Sequence, residues 1–288
     1  MTTALQRGVR LPMRDGATIA GTWFDPDDDA EIRGVALVAP AMATPAGFYT
    51  GFAECLADDG IAALTFDYRG YGASLEGSLR DVVADAAQWA RDAADAMLAA
   101  RARADALGVP LTWIGHSLGG QVLPWAEHER LDAAILVAAG SGYRAHLPPA
   151  LRRRARFGWR LARPLTAIFG YFPGRRVRFF GDLPSGPLLQ WARWCSHPEY
   201  YLGEFPQLRE RLAAVRVPVS LLWASDDELL APSSFAWLAR QFTRADVSLV
   251  RIDPAEEGRA RVGHHGIFRR DARALWDRYV IPRIPVRA

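Results

Sequence analysis

The sequence predicts an α/β fold in which helices cover both faces of a mostly parallel sheet. Three observations predict it. Short apolar runs alternate with longer helical patterns along much of the chain. The runs are apolar throughout, as expected for strands buried on both faces. The 288 residues, half of them hydrophobic, are enough for one large α/β domain or for one domain with an inserted lid.

The N-terminal half contains a hairpin followed by alternating strands and helices. Residues 7–24 alternate loosely in polarity and turn at Asp15-Gly16, which is typical of a hairpin. Gly60 and Gly108 are placed to end two helices. The predicted strands cover residues 35–39, 61–66, 111–114 and 133–139, and the predicted helices cover 48–59, 79–107 and 121–130.

The alternation stops at about residue 141 and resumes after residue 211. It continues with strands over 217–223 and 247–252 and with helices over 232–242 and 269–280. Because the interruption follows the end of a strand, we expect a lid at the carboxyl edge of the sheet, where open α/β sheets bind ligands. The predicted core is therefore residues 1–140 with 212–288, and the predicted lid is 141–211.

Composition and charge exclude several classes of function. The net charge of +3 is small and no basic stripe is concentrated, so we expect no nucleic-acid partner. The two cysteines have no metal or disulfide spacing. Cys195 with His197 would be a cysteine–histidine pair, but no strand or elbow supports it. No apolar run approaches 18 residues and no secretion signal is evident, so we expect no transmembrane segment and a cytoplasmic protein.

The segment Gly115-His116-Ser117-Leu118-Gly119 matches the Gly-x-Ser-x-Gly nucleophile elbow. An apolar run precedes it and a helical pattern follows, so Ser117 is expected on a sharp, strained strand-to-helix turn with its hydroxyl exposed. Side chains at positions 115 and 119 would collide where the helix and strand approach each other. The backbone N–H of Leu118 is then available to stabilise an oxyanion.

A nucleophilic serine needs a histidine as base and a carboxylate to orient it. The acid is expected after the strand at 217–223, where Asp226, Asp227 and Glu228 stand together. We assign Asp227, with Asp226 and then Glu228 as alternatives. The base is expected before the last helix, and we assign His264, with His265 as the alternative.

These residues together resemble the α/β-hydrolase superfamily over nearly the whole chain. The segments 66–74 and 115–121 are similar to the loop and elbow of the serine aminopeptidase and monoacylglycerol lipase-like branch. The segments 169–176, 225–228 and 263–269 are similar to motifs of a bacterial group of predicted hydrolases. The resemblance implies Ser117, Asp227 and His264 as the catalytic triad, and it implies no metal and no organic cofactor.

One segment departs from the pattern of the family. Many relatives have His-Gly after the first parallel strand, where a second oxyanion N–H arises, but this chain has Pro40-Ala41-Met42-Ala43. Any residue except proline can provide the N–H, so we assign Met42, with Ala41 as the alternative. We expect Asp67 and Arg69 to fix the loop that contains them.

We expect a serine hydrolase that cleaves a small-molecule carboxylic ester through an acyl-enzyme. The alternatives are a thioesterase, an amidase or peptidase with the same triad, and a non-catalytic ligand-binding protein on this scaffold. The lid has two interpretations. It either covers an acyl-chain pocket and contacts anionic lipid through its arginines, or it is an ordinary packed lid with a solvated arginine face. Its aromatic residues are Phe157, Trp159, Phe169, Tyr171, Phe172, Phe179, Phe180, Trp191, Trp194, Tyr200 and Tyr201, and its clustered arginines are Arg152, Arg153, Arg154, Arg156, Arg160 and Arg163.

Overall fold

A computed structural model describes residues 4–27, 30–177 and 181–288, without the side chains of 154–157 and 159. Eight of the strands in this part of the chain form one central sheet. In chain order the strands are β1 (Leu5–Pro12), β2 (Thr18–Asp25), β3 (Gly34–Ala39), β4 (Ile61–Phe66), β5 (Leu111–His116), β6 (Ala133–Val137), β7 (Tyr171–Phe172), β8 (Leu183–Pro184), β9 (Val219–Ala224) and β10 (Val247–Ile252).

The central sheet has the order β1-β2-β4-β3-β5-β6-β9-β10. The pairs from β4 to β10 are all parallel, whereas β1 and β2 form an antiparallel hairpin whose second strand pairs antiparallel with β4. Leu37 of β3 lies opposite Leu64 on one side and Trp113 on the other. The predicted mostly parallel sheet is therefore confirmed.

Helices cover both faces of this sheet. The α-helices are α1 (Thr50–Asp58), α2 (Ala86–Leu107), α3 (Leu118–Gln121), α4 (Pro149–Phe169), α5 (Gly174–Val177), α6 (Ser185–Ser196), α7 (Leu208–Ala214), α8 (Pro232–Ala239) and α9 (Arg273–Leu275). Along β3, Leu37 joins the cluster that contains Trp89 of α2, and Val38 joins the cluster that contains Phe52 of α1. This alternation explains why β3 is apolar at every position.

Three helices differ most from their predicted bounds. Helix α2 begins at Ala86 instead of residue 79, because the Asp85 side chain caps it by accepting the Gln88 N–H at 2.7 Å. The helix predicted over 121–130 is only the short α3, followed by 3₁₀ turns, and Pro124 has no N–H to continue it. The last helix begins at Arg273 and continues beyond α9 as a π-helical turn, Trp276–Val280.

Residues 141–211 contain α4 to α6, the first part of α7 and a small antiparallel pair of strands, β7 and β8. Four aromatic residues of this segment are buried in the same cluster as Trp89 of α2: Phe172, Trp194, Tyr200 and Tyr201. Phe179 and Phe180 lie outside the described residues, as do the side chains of Arg154, Arg156, Phe157 and Trp159. No helix in the described part of the chain is both long and apolar enough to cross a bilayer.

Candidate active site

Ser117 lies on the sharp turn between β5 and α3. Its backbone has φ +50° and ψ −111°, which is strained for a residue with a side chain. The Ser117 N–H donates to the Val137 carbonyl of the neighbouring strand at 2.9 Å, which holds the turn against the sheet. The half-buried serine lines a cavity of about 250 Å³, so its hydroxyl is placed for reaction with a bound molecule.

The glycines on each side of the serine allow close approach of the backbone. A Cβ atom at Gly115 would lie 2.5 Å from the Gly119 carbonyl oxygen, and one at Gly119 would lie 2.0 Å from the Ala39 carbonyl oxygen. Both distances are shorter than any real contact allows, so no other residue fits without a backbone shift. The structure therefore agrees with the expectation that side chains at positions 115 and 119 would collide with the backbone. Gly119 allows α3 to pack closely against the end of β3.

The loop after β3 contains the second oxyanion candidate. Among the described residues, neither the Leu118 N–H nor the Met42 N–H has a hydrogen-bond partner. The alternative donor, Ala41, already donates its N–H to the Tyr49 hydroxyl at 2.9 Å. Met42 also lines the cavity beside Ser117. This geometry favours Met42 over Ala41 as the donor that remains available.

The histidine and the acid meet in a buried hydrogen bond. Asp227 Oδ2 lies 2.8 Å from His264 Nδ1, and both side chains are almost fully buried. The other oxygen of Asp227 accepts the N–H groups of Leu229 at 2.8 Å and Leu230 at 2.9 Å. His264 lines the same cavity as Ser117. The structure therefore brings Ser117, His264 and Asp227 to one site.

The neighbouring carboxylates have different partners. Asp226 accepts the backbone N–H groups of Val262 at 3.0 Å and Gly263 at 2.8 Å. Glu228 accepts the His264 backbone N–H at 3.1 Å and pairs with Arg261 at 3.0 Å. Although burial opposes the effect, the backbone N–H groups of Glu228 itself and of His264, together with Arg261, lower the pKa of Glu228. Both carboxylates hold the backbone of the loop that bears His264, and among the described residues it is Asp227 that is hydrogen-bonded to its imidazole.

His265, the alternative base, has no hydrogen bond to a carboxylate among the described residues. Its ring packs edge-on against Phe48 and His116 and lines the cavity. Burial, reinforced by the nearby His264, lowers the pKa of His265 to about 4. A neutral imidazole without an orienting acid fits the role of base less well than His264 does.

His116 connects the elbow to two other loops. Its Nε2 lies 3.0 Å from the His264 carbonyl oxygen, which can only accept, so Nε2 carries the proton. Burial holds the pKa of His116 well below its usual range, so Nδ1 is unprotonated and accepts the Tyr49 O–H at 2.8 Å. The Tyr49 oxygen accepts the Ala41 N–H in turn. No pattern in the sequence indicated this role for Tyr49.

Asp67 and Arg69 hold the loop after β4 in place. The Asp67 carboxylate accepts the N–H groups of Ala46 at 2.8 Å and Ala73 at 2.9 Å, and burial raises its pKa. Arg69 pairs with Asp92 at 2.5 Å and with Asp15 at 2.7 Å. Neither residue lines the cavity at Ser117, which agrees with the expected structural role.

The walls of the cavity are mainly apolar. Besides the residues named above, they include Ala43, Thr44, Gln121, Gly142, Leu147, Leu151, Gly181, Trp191, Cys195, Leu229 and Leu230. Burial raises the pKa of Cys195, which is the opposite of an activated thiol, and His197 is exposed and does not line this cavity. These observations do not support a cysteine–histidine pair at this position. Gln121 was not predicted as a site residue, although it lies four positions after Ser117.

A comparison with models of protein families shows which family this chain belongs to. Residues 30–256 match the profile of the family described as serine aminopeptidase, S33. The chain belongs to the serine aminopeptidase S33 family. The resemblance stated from the sequence is thus confirmed, and with it the expectation of a serine hydrolase. A search of curated protein sequences found no match.

Solved structures share the fold of this S33 family member at low sequence identity. A soluble variant of monoglyceride lipase from Saccharomyces cerevisiae, in complex with a substrate analogue, is 16% identical with a TM-score of 0.69, covering 99% of this chain and 97% of that one. A monoacylglycerol lipase of Paleococcus ferrophilus is 14% identical with a TM-score of 0.58, covering 92% and 97%. A cold-adapted esterase from an Arctic intertidal metagenomic library is 18% identical with a TM-score of 0.56, covering 99% and 96%.

Proposed function

We propose that this protein hydrolyses a small carboxylic ester through a Ser117–His264–Asp227 triad. The observation that carries the proposal is the buried 2.8 Å contact between Asp227 Oδ2 and His264 Nδ1, in a site where His264 and the strained Ser117 line one cavity. A buried carboxylate fixes the tautomer of the imidazole and stabilises its protonated form. Nε2 of His264 is thereby left free to accept the serine proton.

The reaction proceeds by two displacements. His264 accepts the Ser117 proton as Ser117 Oγ attacks the ester carbonyl, and the resulting imidazolium protonates the leaving alcohol. Water then attacks the acyl-enzyme with His264 again as the base, which releases the acid. The N–H groups of Leu118 and Met42 stabilise the tetrahedral oxyanion, since neither has another partner among the described residues.

The composition of the cavity favours an ester over an N-terminal peptide bond. An aminopeptidase must hold the positively charged amino group of its substrate, which requires a carboxylate near the scissile bond. No Asp or Glu is among the described residues that line the cavity. Its largely leucine, alanine and methionine walls suit a neutral, mainly apolar substrate. Solved structures with the same fold include monoglyceride lipase and esterase, which agrees with this choice.

Turnover of chromogenic substrates tests the reaction class. We expect wild-type protein to hydrolyse p-nitrophenyl butyrate much faster than alanine p-nitroanilide, and Ser117→Ala to lose the esterase activity. The thioester substrate butyryl-CoA should be slower than the ester. Faster release of p-nitroaniline would favour a peptidase. Absence of turnover by well-folded protein on all three substrates would favour the non-catalytic alternative.

We further propose that residues 141–211 form a lid whose outer surface contacts anionic lipid. On α4, Leu161 and Ile168 are 40% and 75% exposed. Arg153, Arg160 and Arg163 of the same helix are also exposed. An exposed helix with apolar and basic side chains suits the surface of a membrane. Wild-type protein should sediment with phosphatidylserine vesicles at low salt more than Arg160→Glu/Arg163→Glu protein does; no sedimentation of the wild type would contradict the contact.

A further inference from the structure

Gln121 introduces a polar group into the mainly apolar cavity at Ser117. It lies four residues after the serine, and its N–H donates to the Ser117 carbonyl at 3.1 Å. The residue is only 4% exposed, and it lines the cavity beside Ser117. A bound substrate therefore meets the carboxamide close to the bond that reacts.

Two consecutive hydrogen bonds, from Trp191 to Tyr200 and from Tyr200 to Gln121, fix the orientation of this carboxamide. The Trp191 indole N–H donates to the Tyr200 oxygen at 2.8 Å, and an indole nitrogen can only donate. The Tyr200 hydroxyl proton is thus free to donate to Gln121 Oε1, which lies 2.8 Å away. Because Oε1 is the atom that accepts, the amide nitrogen is directed away from Tyr200.

The amide nitrogen of Gln121 has no partner among the described residues. This nitrogen does not belong to the described side-chain atoms that are fully buried without a partner, so it is accessible from the cavity, where it can donate to a ligand or to water. The described residues that line this cavity carry no Lys, Arg, Asp or Glu, and the neighbouring Cys195 is a neutral thiol because burial raises its pKa. A neutral oxygen acceptor is the group that completes such a site.

We infer that Gln121 is a specificity-determining residue that binds a second oxygen atom of the substrate. The substrate class is then a neutral ester with a carbonyl, ether or hydroxyl oxygen a few bonds from the scissile carbonyl, such as an oxoacyl or alkoxyalkyl ester. An ester with only hydrocarbon at that position leaves the amide unpaired. The inference rests on the proposed esterase activity, because it names the substrate of that same site.

Two matched pairs of esters test this specificity. The acyl pair is p-nitrophenyl 4-oxopentanoate and p-nitrophenyl pentanoate, and the alcohol pair is 2-butoxyethyl acetate and heptyl acetate. For each pair, the ratio of kcat/KM is compared between wild type and Gln121→Leu, so that differences in intrinsic reactivity cancel. The ratio is kcat/KM for the oxygen-bearing ester divided by kcat/KM for its hydrocarbon partner. In at least one pair, this ratio should be about tenfold lower in Gln121→Leu than in wild type.

Two further variants separate recognition from damage to the fold. Gln207 is exposed and does not line the cavity, so Gln207→Leu makes the same chemical change and should leave both ratios as in wild type. Tyr200→Phe removes the donor that fixes Oε1, so the carboxamide can turn and the preference should weaken. If Gln121→Leu does not fold, the Tyr200→Phe ratios decide.

The outcomes distinguish this inference from the proposed function. Turnover of the esters with ratios that are equal in wild type, Gln121→Leu and Tyr200→Phe would overturn the oxygen-binding role alone. Turnover of none of the four esters by wild type would overturn the proposed esterase activity, and the substrate assignment with it. A ratio that falls in Gln121→Leu and not in Gln207→Leu supports both.

Discussion

The Tyr49 hydroxyl donates a hydrogen bond to Nδ1 of His116 at 2.8 Å, and this contact joins three loops of the active site. Tyr49 also accepts the N–H of Ala41, the residue before the second oxyanion candidate. His116 precedes the nucleophile and donates to the His264 carbonyl. The oxyanion loop, the elbow and the base loop are therefore positioned by one buried chain of hydrogen bonds.

Removal of the Tyr49 hydroxyl should impair catalysis more than binding. In Tyr49→Phe the buried N–H of Ala41 and Nδ1 of His116 lose their partner, so the free energy of unfolding should fall by about 1–3 kcal/mol. The Met42 loop loses an anchor, and kcat should fall about tenfold or more while KM changes little. Steady-state kinetics and urea unfolding measure both effects.

Tyr143→Phe is the matched control, because the Tyr143 hydroxyl has no hydrogen bond to any residue that the structure describes. It should retain wild-type kcat and stability. A Tyr49→Phe protein with the kcat of the wild type would show that the chain of hydrogen bonds does not position the oxyanion loop.

Single Asn substitutions should separate the two adjacent aspartates. Asp227→Asn removes the acceptor that orients His264, so kcat should fall by about 10⁴-fold. Asp226→Asn disturbs the bonds to Val262 and Gly263, so it should lower the free energy of unfolding by about 1–2 kcal/mol and kcat by no more than about tenfold. Ester hydrolysis and denaturant unfolding of both variants measure the difference. The larger loss of kcat in Asp226→Asn would reverse the assignment of the triad acid.

Stability should decrease as the pH falls below about 6.5. Burial lowers the pKa of His265 from the ordinary 6.5 to about 4, and that of His116 well below 6.5, so the unfolded chain binds protons that the folded chain does not. As the pH falls from 6.5 towards the lowered pKa, each histidine reduces the free energy of unfolding by at most about 1.4 kcal/mol per pH unit. Urea unfolding at about pH 7, 6 and 5 measures the slope.

The variant His265→Gln isolates one of these contributions. Because glutamine does not titrate, the free energy of unfolding of this variant should depend less steeply on pH between pH 6.5 and pH 4. The difference in slope is at most that of one bound proton, about 1.4 kcal/mol per pH unit. Burial raises the pKa of Asp67 and Asp92, which has the opposite sign, but that contribution is common to both proteins and cancels. An equal slope in wild type and His265→Gln would contradict the lowered pKa.

The strands and the elbow could be predicted because their signals are local. A continuous apolar run has few alternatives, and the predicted range 61–66 is that of β4. The start of α2 was not predicted, because Asp81 and Asp85 are both residues of a type that caps helices. Only the structure shows that Asp85 caps this one, by accepting the Gln88 N–H.

The site was predictable in its positions but not in its hydrogen bonds. The order of strands placed an acid near residue 227 and a base near residue 264, yet three adjacent carboxylates look alike in a sequence. Only the fold shows that Asp226 and Glu228 bind backbone N–H groups while Asp227 binds the imidazole. Tyr49 lies 67 residues from His116, and no local pattern connects two such residues.

Labelling with a fluorophosphonate probe tests most directly whether Ser117 is an activated nucleophile. Wild-type protein, Ser117→Ala and a matched exchange at the exposed Ser196, Ser196→Ala, would be treated together, with circular dichroism to establish folding. We predict strong labelling of wild type and of Ser196→Ala and none of Ser117→Ala. Folded wild-type protein that does not react, even with a smaller phosphonate, or Ser117→Ala that labels as strongly as wild type, would contradict the proposed triad.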